Sequence, residues 1–296
     1  LQYVLKMGKM EDTLSIKLGN VFHAVLSHYY EDDFSFEECY SRELARYSLT
    51  KKERFYFEKW KKELEFILAT LKEQDLTMGF TPFKTEEKLY VPLGDHQGVE
   101  VGFMGILDKL YLGQKNSSTF VSIVDYKTGT ADIDLSYAPF GLKLQLPSYM
   151  YLLRKSKKWK DAIICGIYLQ RLLSTRKQNE KKDSLKLQGY SLMDEEVLAY
   201  FDPTYENSSL VRGLKKTKTG WYRYAKLLTY QEMDELISLV EKKMKNAASL
   251  ILEGDFTINP KRLDGVNVGC EFCSFRDICY QTEKNIVNLE KEETYA

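Results

Sequence analysis

The chain has 296 residues, 44% of them apolar, and its 43 basic and 43 acidic side chains cancel. This is an ordinary composition for a packed globular protein of one large or two small domains, and the balance excludes a global positive field that would draw in nucleic acid, so any such contact must come from local clusters. No run of 18 uninterrupted apolar residues occurs, and Leu1-Gln-Tyr-Val-Leu-Lys lacks the apolar stretch of a signal peptide, so a cytoplasmic protein without a membrane span is expected.

The chain opens without Met, in what reads as the middle of a helix, and is taken as a fragment of a longer polypeptide. Thr13 to Tyr30 reads as a helix, with Val21, Phe22, Val25, Leu26 and Tyr29 recurring at the 3.6-residue period. His23 sits inside it; a lone helical His is more often structural than functional. His28 and His96 receive no role. Residues Asp32 to Ser48 follow no single pattern. A second helix is expected from Thr50 to Gln74, opening on a Thr50–Glu53 capping box. Phe55, Trp60, Leu64, Ile67, Leu68 and Leu71 form its inward stripe, and Lys51, Lys52, Lys59, Lys61 and Lys62 its solvated face. Pro82 breaks the chain. Lys84 to Pro92 then alternates as a strand, with Glu86 and Lys88 on one side and Glu87, Leu89 and Val91 on the other.

Two further strands follow, Gly102 to Tyr111 and Phe120 to Gly129, joined by the polar run Gly113 to Thr119 with Asn116 near its centre. In the second, Asp125 and Lys127 share a side with Val121 and Ile123, so an apolar strand carries a charged end. A hairpin symmetric about Asn116 sets Asp108 opposite Val124 or Asp125, where facing Cβ atoms lie ~4.5–5.5 Å apart. Two carboxylates that close repel unless one is protonated or a cation sits between them. All-oxygen ligation suits Mg²⁺ or Mn²⁺, and a nearby lysine can stabilise developing phosphate charge or orient water. Phosphodiester hydrolysis is the chemistry implied, against the plainer reading of a surface hairpin in which Asp108 merely pairs with Lys127.

Thr130 to Leu135 reads as a loop. Gln145 and Tyr149 lie at i and i+4 on one helix face, and Pro147 means that this helix either starts or kinks there. Ala162 to Leu172 is an apolar and so central strand, with Cys165 an inert buried thiol. Ser174 to Lys186 reads as a lysine-rich loop, and Lys215, Lys216 and Lys218 as a second basic loop. Gln231 to Leu252 is an amphipathic helix with Met233, Leu236, Ile237, Val240, Met244, Ala248 and Ile251 inward. Of the five cysteines, Cys270, Cys273 and Cys279 form C-x₂-C-x₅-C, a poor disulfide framework and a good metal or cluster site that lacks a fourth ligand.

Gly105-Ile-Leu-Asp108-Lys-Leu, Ile123-Val-Asp125-Tyr-Lys127-Thr-Gly and Gln145-Leu-Pro-Ser-Tyr149 resemble, in order, the G-x-[IL]-D-[RK]-[ILV], V-D-Y-K-[ST]-G and Q-x-x-x-Y motifs of RecB-type PD-(D/E)XK nucleases. Gly19-Asn-Val-Phe-His23 resembles the histidine helix of the same family. Gly189-Tyr-Ser-Leu-Met-Asp-Glu195 and the late cysteines are similar to the AddB/RexB type of nuclease domain found in bacterial helicase–nuclease complexes. The resemblance implies a single nuclease domain over residues 1–296, with 254–280 as its cysteine segment. Its fold would be α/β, a restriction-endonuclease-like mixed sheet flanked by helices with a C-terminal iron–sulfur motif.

The resemblance further implies that Asp108, Asp125, His23 and the Tyr126 backbone carbonyl hold Mg²⁺ or Mn²⁺. Lys127 would act on water or the phosphorane, Gln145 and Tyr149 would hold the strand, and Glu86 would be a further acid. Cys270, Cys273 and Cys279 would bind an iron–sulfur (4Fe-4S) cluster, incomplete here because the family's fourth cysteine falls upstream of Leu1. The activity implied is a DNA exonuclease on single-stranded ends, in double-strand break processing with an AddA-like helicase–nuclease subunit. No Gly-x₄-Gly-Lys-Ser/Thr motor motif occurs in these residues. A non-catalytic nuclease-like DNA-binding scaffold and a CRISPR-associated exonuclease are the alternatives.

Overall fold

A computed structural model describes residues 13–96, 98–130, 132–173, 178–263, 265–270, 273 and 275–290. Its centre is a six-stranded mixed sheet: β1 (Thr81–His96), β2 (Val99–Lys115), β3 (Ser118–Lys127), β4 (Ile163–Arg171), β5 (Leu187–Leu192) and, at the far edge, Leu227–Leu228. β1, β2 and β3 are antiparallel, β3 and β4 parallel, and β4 and β5 antiparallel. Every residue of β3 from Phe120 to Tyr126 is buried, as a strand covered on both faces must be.

One face carries α1 (Leu14–His28) and α3 (Lys51–Thr77), which touch each other, with the short α6 (Glu195–Phe201) against β4 and β5. The other carries α4 (Gln145–Lys155) packed on α7 (Tyr230–Glu253). Thr50 caps α3 as expected: its hydroxyl accepts from the Glu53 amide while Glu53 reaches back to the Thr50 amide. Phe57 rather than Phe55 turns inward on this helix, Phe55 being exposed. The patternless stretch after Asp32 holds a further helix, α2 (Phe36–Leu44), which packs on α1. No helix among the described residues is long and apolar enough to cross a membrane.

The central hairpin is longer and tighter than expected. Instead of a seven-residue loop, β2 and β3 pair as far as Lys115↔Ser118 and turn on Asn116 and Ser117, both with positive φ (49° and 65°). A two-residue turn of that kind matches the twist of the flanking strands, and Asn tolerates it. The basic loop after Leu173 holds a helix, α5 (Gln178–Ser184), pinned to α3 by Lys181–Glu63 at 2.5 Å and Lys182–Glu73 at 2.6 Å. Lys216 of the second basic loop pairs with Glu195 at 2.6 Å. On α7, Met233, Leu236, Ile237 and Val240 are buried, but Ile251 is exposed.

Beyond α7 a small three-stranded sheet, Val266–Asn267 beside Lys261–Leu263 beside Val287–Leu289, brackets the cysteine loop.

Candidate active site

The site is built where β2 and β3 run out together. Lys109 pairs with Val124, and one step further along that register sets Asp108 across from Asp125. The regular pairing stops there because the Tyr126 amide donates to Asp108 Oδ2, at 2.8 Å, in place of a backbone carbonyl. Asp125 is the last carboxylate on an otherwise apolar strand and is 1% exposed.

Around these two acids the other expected residues gather. Lys127 Nζ lies 2.5 Å from Asp125 Oδ2 and donates to Gln145 Oε1 at 2.8 Å. Gln145 Nε2 donates to Asp125 Oδ1 at 2.6 Å and to the Tyr149 hydroxyl at 3.0 Å. α4 begins at Gln145, so Pro147 falls in its first turn, where a missing N–H costs nothing, and the helix starts here without a kink. His23 reaches in from α1, with Nδ1 3.4 Å from Asp108 Oδ2. The Tyr126 side chain turns into the core, its ring edge-on to His23 at 6.2 Å.

Crowding of charge is visible in the titration of these groups. Burial, and then the charge of Asp108, push Asp125 up to about 6, while Lys127 and His23 pull the other way. For His23 burial works against the charged ring, yet the hydrogen bond and charge of Asp108 and the charge of Asp125 outweigh it, so the imidazole titrates above its ordinary value. Burial pushes the Tyr149 phenol to about 12.

A divalent cation fits this donor set on one specific ground. Asp125 Oδ2 is buried and is met by the Lys127 ammonium at 2.5 Å, which leaves the charge of Asp108 still pressing on it. A hard cation prefers such a carboxylate oxygen, and it would relieve the repulsion between the two acids. Among the described residues, no three His, Cys, Asp or Glu side chains are already gathered tightly enough to hold a metal.

The same holds for the cysteines: Cys270 and Cys279 are half-buried, Cys273 is exposed, and the three thiols are not gathered into one ligand group. The described residues therefore do not by themselves fit an iron–sulfur cluster. Residues 271, 272 and 274 of this loop lie outside the described residues, and the fourth ligand is expected upstream of Leu1.

Glu86 lies across from Asp108 at the edge of the cluster. Thr85 pairs with Lys109 and Glu87 with Leu107, so Glu86 and Asp108 are opposite members of a step that the ladder skips. Glu86 has φ 52° and an exposed side chain. That kink reverses the faces of β1. Thr85 donates to the Ser27 carbonyl on α1, whereas Glu87, two residues on, is buried and accepts from Lys158 at 2.7 Å and Trp159 Nε1 at 3.2 Å; on a regular strand the two would share a side.

Sequence reasoning passed over Lys109. This residue is wholly buried and donates to Asp75 at 3.0 Å, to the Tyr111 hydroxyl at 2.7 Å and to the Tyr30 hydroxyl. Tyr30 lies just past α1, two turns beyond His23, and Asp75 is on α3, so the cluster ties both helices to the strand that carries Asp108. Burial pulls the Lys109 pKa down to about 8 against the opposing charge of Asp75. The signal was present: period 2 puts Lys109 in phase with Leu107 and Tyr111, and an ammonium on an apolar face needs a buried partner.

Comparison with known proteins bears on this geometry. The family described as the PD-(D/E)XK nuclease superfamily matches residues 1–280. Among similar curated proteins, the B subunit of the ATP-dependent helicase/deoxyribonuclease of Carboxydothermus hydrogenoformans is 27% identical over 227 residues, covering 69% of this chain and 21% of that protein. Its counterpart in Clostridium novyi is 28% identical over 268 residues, covering 81% and 24%, and that of Desulforamulus reducens 27% over 255 residues, covering 78% and 22%. The chain thus spans less than a quarter of the length of these relatives.

Proposed function

Given that the chain belongs to the PD-(D/E)XK nuclease superfamily, we propose that it is a divalent-metal-dependent deoxyribonuclease domain. It hydrolyses phosphodiester bonds, as an exonuclease on single-stranded ends, in the cytoplasm and within an assembly of the kind its relatives' names describe. Its partner there is a second, AddA-like helicase–nuclease subunit. The observation that carries this reading is the meeting of the buried Asp125 with Asp108 at the end of one hairpin, with the Lys127 ammonium held between Asp125 Oδ2 at 2.5 Å and Gln145 at 2.8 Å.

Asp108 and Asp125 would hold Mg²⁺ or Mn²⁺, with His23 and the Tyr126 carbonyl as further donors. When bound, such an ion polarises a phosphoryl oxygen and lowers the pKa of water. The rest falls to side chains. Water adds to phosphorus, the bond to one bridging oxygen breaks, that oxygen takes up a proton, and the strand is left with one phosphate and one hydroxyl end. Lys127 meets the negative charge that grows on the phosphorane, an effect typically worth about 10²–10³ in rate for a single preorganised donor. Gln145 holds Lys127 and Asp125 in one geometry by bonding both, and Tyr149 fixes Gln145. The tyrosine keeps its proton throughout, since burial raises its pKa.

The cysteine triad is proposed as part of a 4Fe-4S site on the strength of its spacing and of the family resemblance; no catalytic role is assigned to it. The experiment that tests the nuclease reading is cleavage of end-labelled single-stranded and duplex DNA with Mg²⁺ or Mn²⁺, by the parent and by Asp108→Asn. Metal-dependent shortening from one end by the parent only is expected. Equal cutting by both proteins, or none by either with any divalent ion, would overturn the assignment.

A further inference from the structure

Past Lys127, β3 runs straight into a cleft of about 520 Å³ between the ends of β3 and β4 and the outer turn of α3. Thr128, Gly129 and Thr130 form one wall, Arg171 another, and Lys59 and Trp60 the third. The charges in it are uneven. Glu63 also borders the cleft, but Lys181 neutralises it at 2.5 Å. Lys59 has no carboxylate partner among the described residues and rests its ammonium only on the Phe55 ring, 4.6 Å from the centroid. Arg171 has a buried Nε with no hydrogen-bond partner. The guanidinium itself borders the cleft and, among the described residues, has no carboxylate partner, so the wall it shares with Lys59 favours an anion.

The remaining walls are suited to the same anion and its neighbour. A Cβ added at Gly129 would meet nothing within 4 Å, so the backbone there is open to close approach. Thr128 and Thr130 line the cleft on either side of it. Trp60 is stacked on Tyr56, with centroids 5.6 Å apart and planes 26° apart, and so offers a rigid aromatic edge. Two cations, two threonines and a ring edge together match a nucleotide better than a bare phosphate, because the cations meet a phosphodiester and the ring edge gives the adjoining nucleoside an apolar contact. The cleft is also continuous with the site: Thr128 follows Lys127 in the chain, and a Cβ at Gly19, one turn before His23, would lie 3.5 Å from the Thr128 hydroxyl.

We propose that this cleft is a second anchoring point for the DNA strand, in which Arg171 and Lys59 hold a backbone phosphate next to the one being cut and Trp60 supports the adjoining base. The proposal rests on the nuclease reading for its substrate and adds residues that reading does not use. It assigns the cleft to the grip on the strand and leaves the bond cleavage to Asp108, Asp125 and Lys127.

The test is fluorescence anisotropy of a labelled single-stranded oligonucleotide in EDTA, so that cutting does not intervene, with the parent chain, Lys59→Ala and Arg171→Gln. Each variant should raise Kd about three- to tenfold, as loss of one charged contact does. Each should also flatten the slope of log Kd against log salt by about 0.7, the value for one phosphate on a single strand. Oligonucleotides carrying one neutral methylphosphonate at successive positions should bind the parent poorly at one position, and that position should cease to matter in the variants. Lys59 is exposed, so its variant carries the test alone if Arg171→Gln melts early. Unchanged Kd and slope in Lys59→Ala, or no positional effect in the parent, would overturn the cleft. Cleavage with Mn²⁺, measured in parallel on Asp125→Ala, keeps the two ideas apart. Intact cleavage by the parent with unmoved affinities sinks the cleft alone, and lost affinities without any cleavage sink the nuclease reading and leave the cleft standing.

Discussion

Replacing Asp125 by asparagine separates what this carboxylate does for the chemistry from what it costs the fold. Burial first, and the charge of Asp108 second, lift its pKa from 3.8 to about 6, with Lys127 and His23 already counted on the other side. At 1.36 kcal/mol per pH unit this rise corresponds to about 3 kcal/mol. The folded chain holds the proton more tightly than the unfolded chain does. The associated stability is therefore complete below about pH 3.8 and is lost as pH rises to about 6, above which the ionised carboxylate is a standing cost. Asparagine carries no charge and keeps an acceptor for the 2.6 Å bond from Gln145, although its amide then faces the Lys127 ammonium and part of the gain is lost. The metal-free variant should be about 2 kcal/mol more stable than the parent near neutral pH. For a chain of this size that is a rise in Tm of about 4–8 °C. Thermal unfolding followed by circular dichroism in EDTA, repeated from neutral pH down toward pH 4, measures it, and the gap should close as the pH falls. A variant that melts at or below the parent near neutral pH, or a gap that does not change with pH, would refute the reasoning. The same protein should have no nuclease activity, so stability and function are expected to move in opposite directions.

Three further outcomes follow from particular contacts. Lys109→Met removes the ammonium that Asp75 pairs with among buried phenols and should cost about 3–5 kcal/mol in urea unfolding, most of it recovered by adding Asp75→Leu. Gly189→Ala places a Cβ 1.9 Å from the Ile167 carbonyl oxygen and 2.8 Å from the Tyr168 Cα. Backbone cannot yield there as a side chain could, so a loss of about 3 kcal/mol or more is expected, while Gly129→Ala, with nothing within 4 Å, should stay within about 0.5 kcal/mol of the parent. For the cysteine loop, iron and acid-labile sulfide retained after anaerobic reconstitution should disappear in Cys273→Ser; equal iron in both would rule the cluster out.

Much of the site was legible because its signals are local. The alternation that puts Asp125 and Lys127 on one side of β3, and the chain symmetry about Asn116 that brings Asp108 to within one residue of facing Asp125, both depend on period 2 and a turn. The capping box at Thr50 was legible for the same reason. What escaped depends on distant partners. α5 forms where the composition reads as loop because its lysines meet Glu63 and Glu73, more than a hundred residues earlier. The ammonium of Lys109 needs Tyr30 and Asp75 from two helical segments that no spacing connects to it. Glu86 and Glu87 could not be told apart by alternation, since the kink at Glu86 breaks the alternation on which the choice relied.

The central claim is that two facing carboxylates at the end of one hairpin share a divalent ion with a lysine at their side. Anomalous diffraction from a crystal of the chain soaked in Mn²⁺ tests it directly. A manganese peak bridging Asp108 and Asp125, lost in Asp125→Asn, is the predicted result. A peak elsewhere, or none from a preparation that still cuts DNA in Mn²⁺, would contradict it.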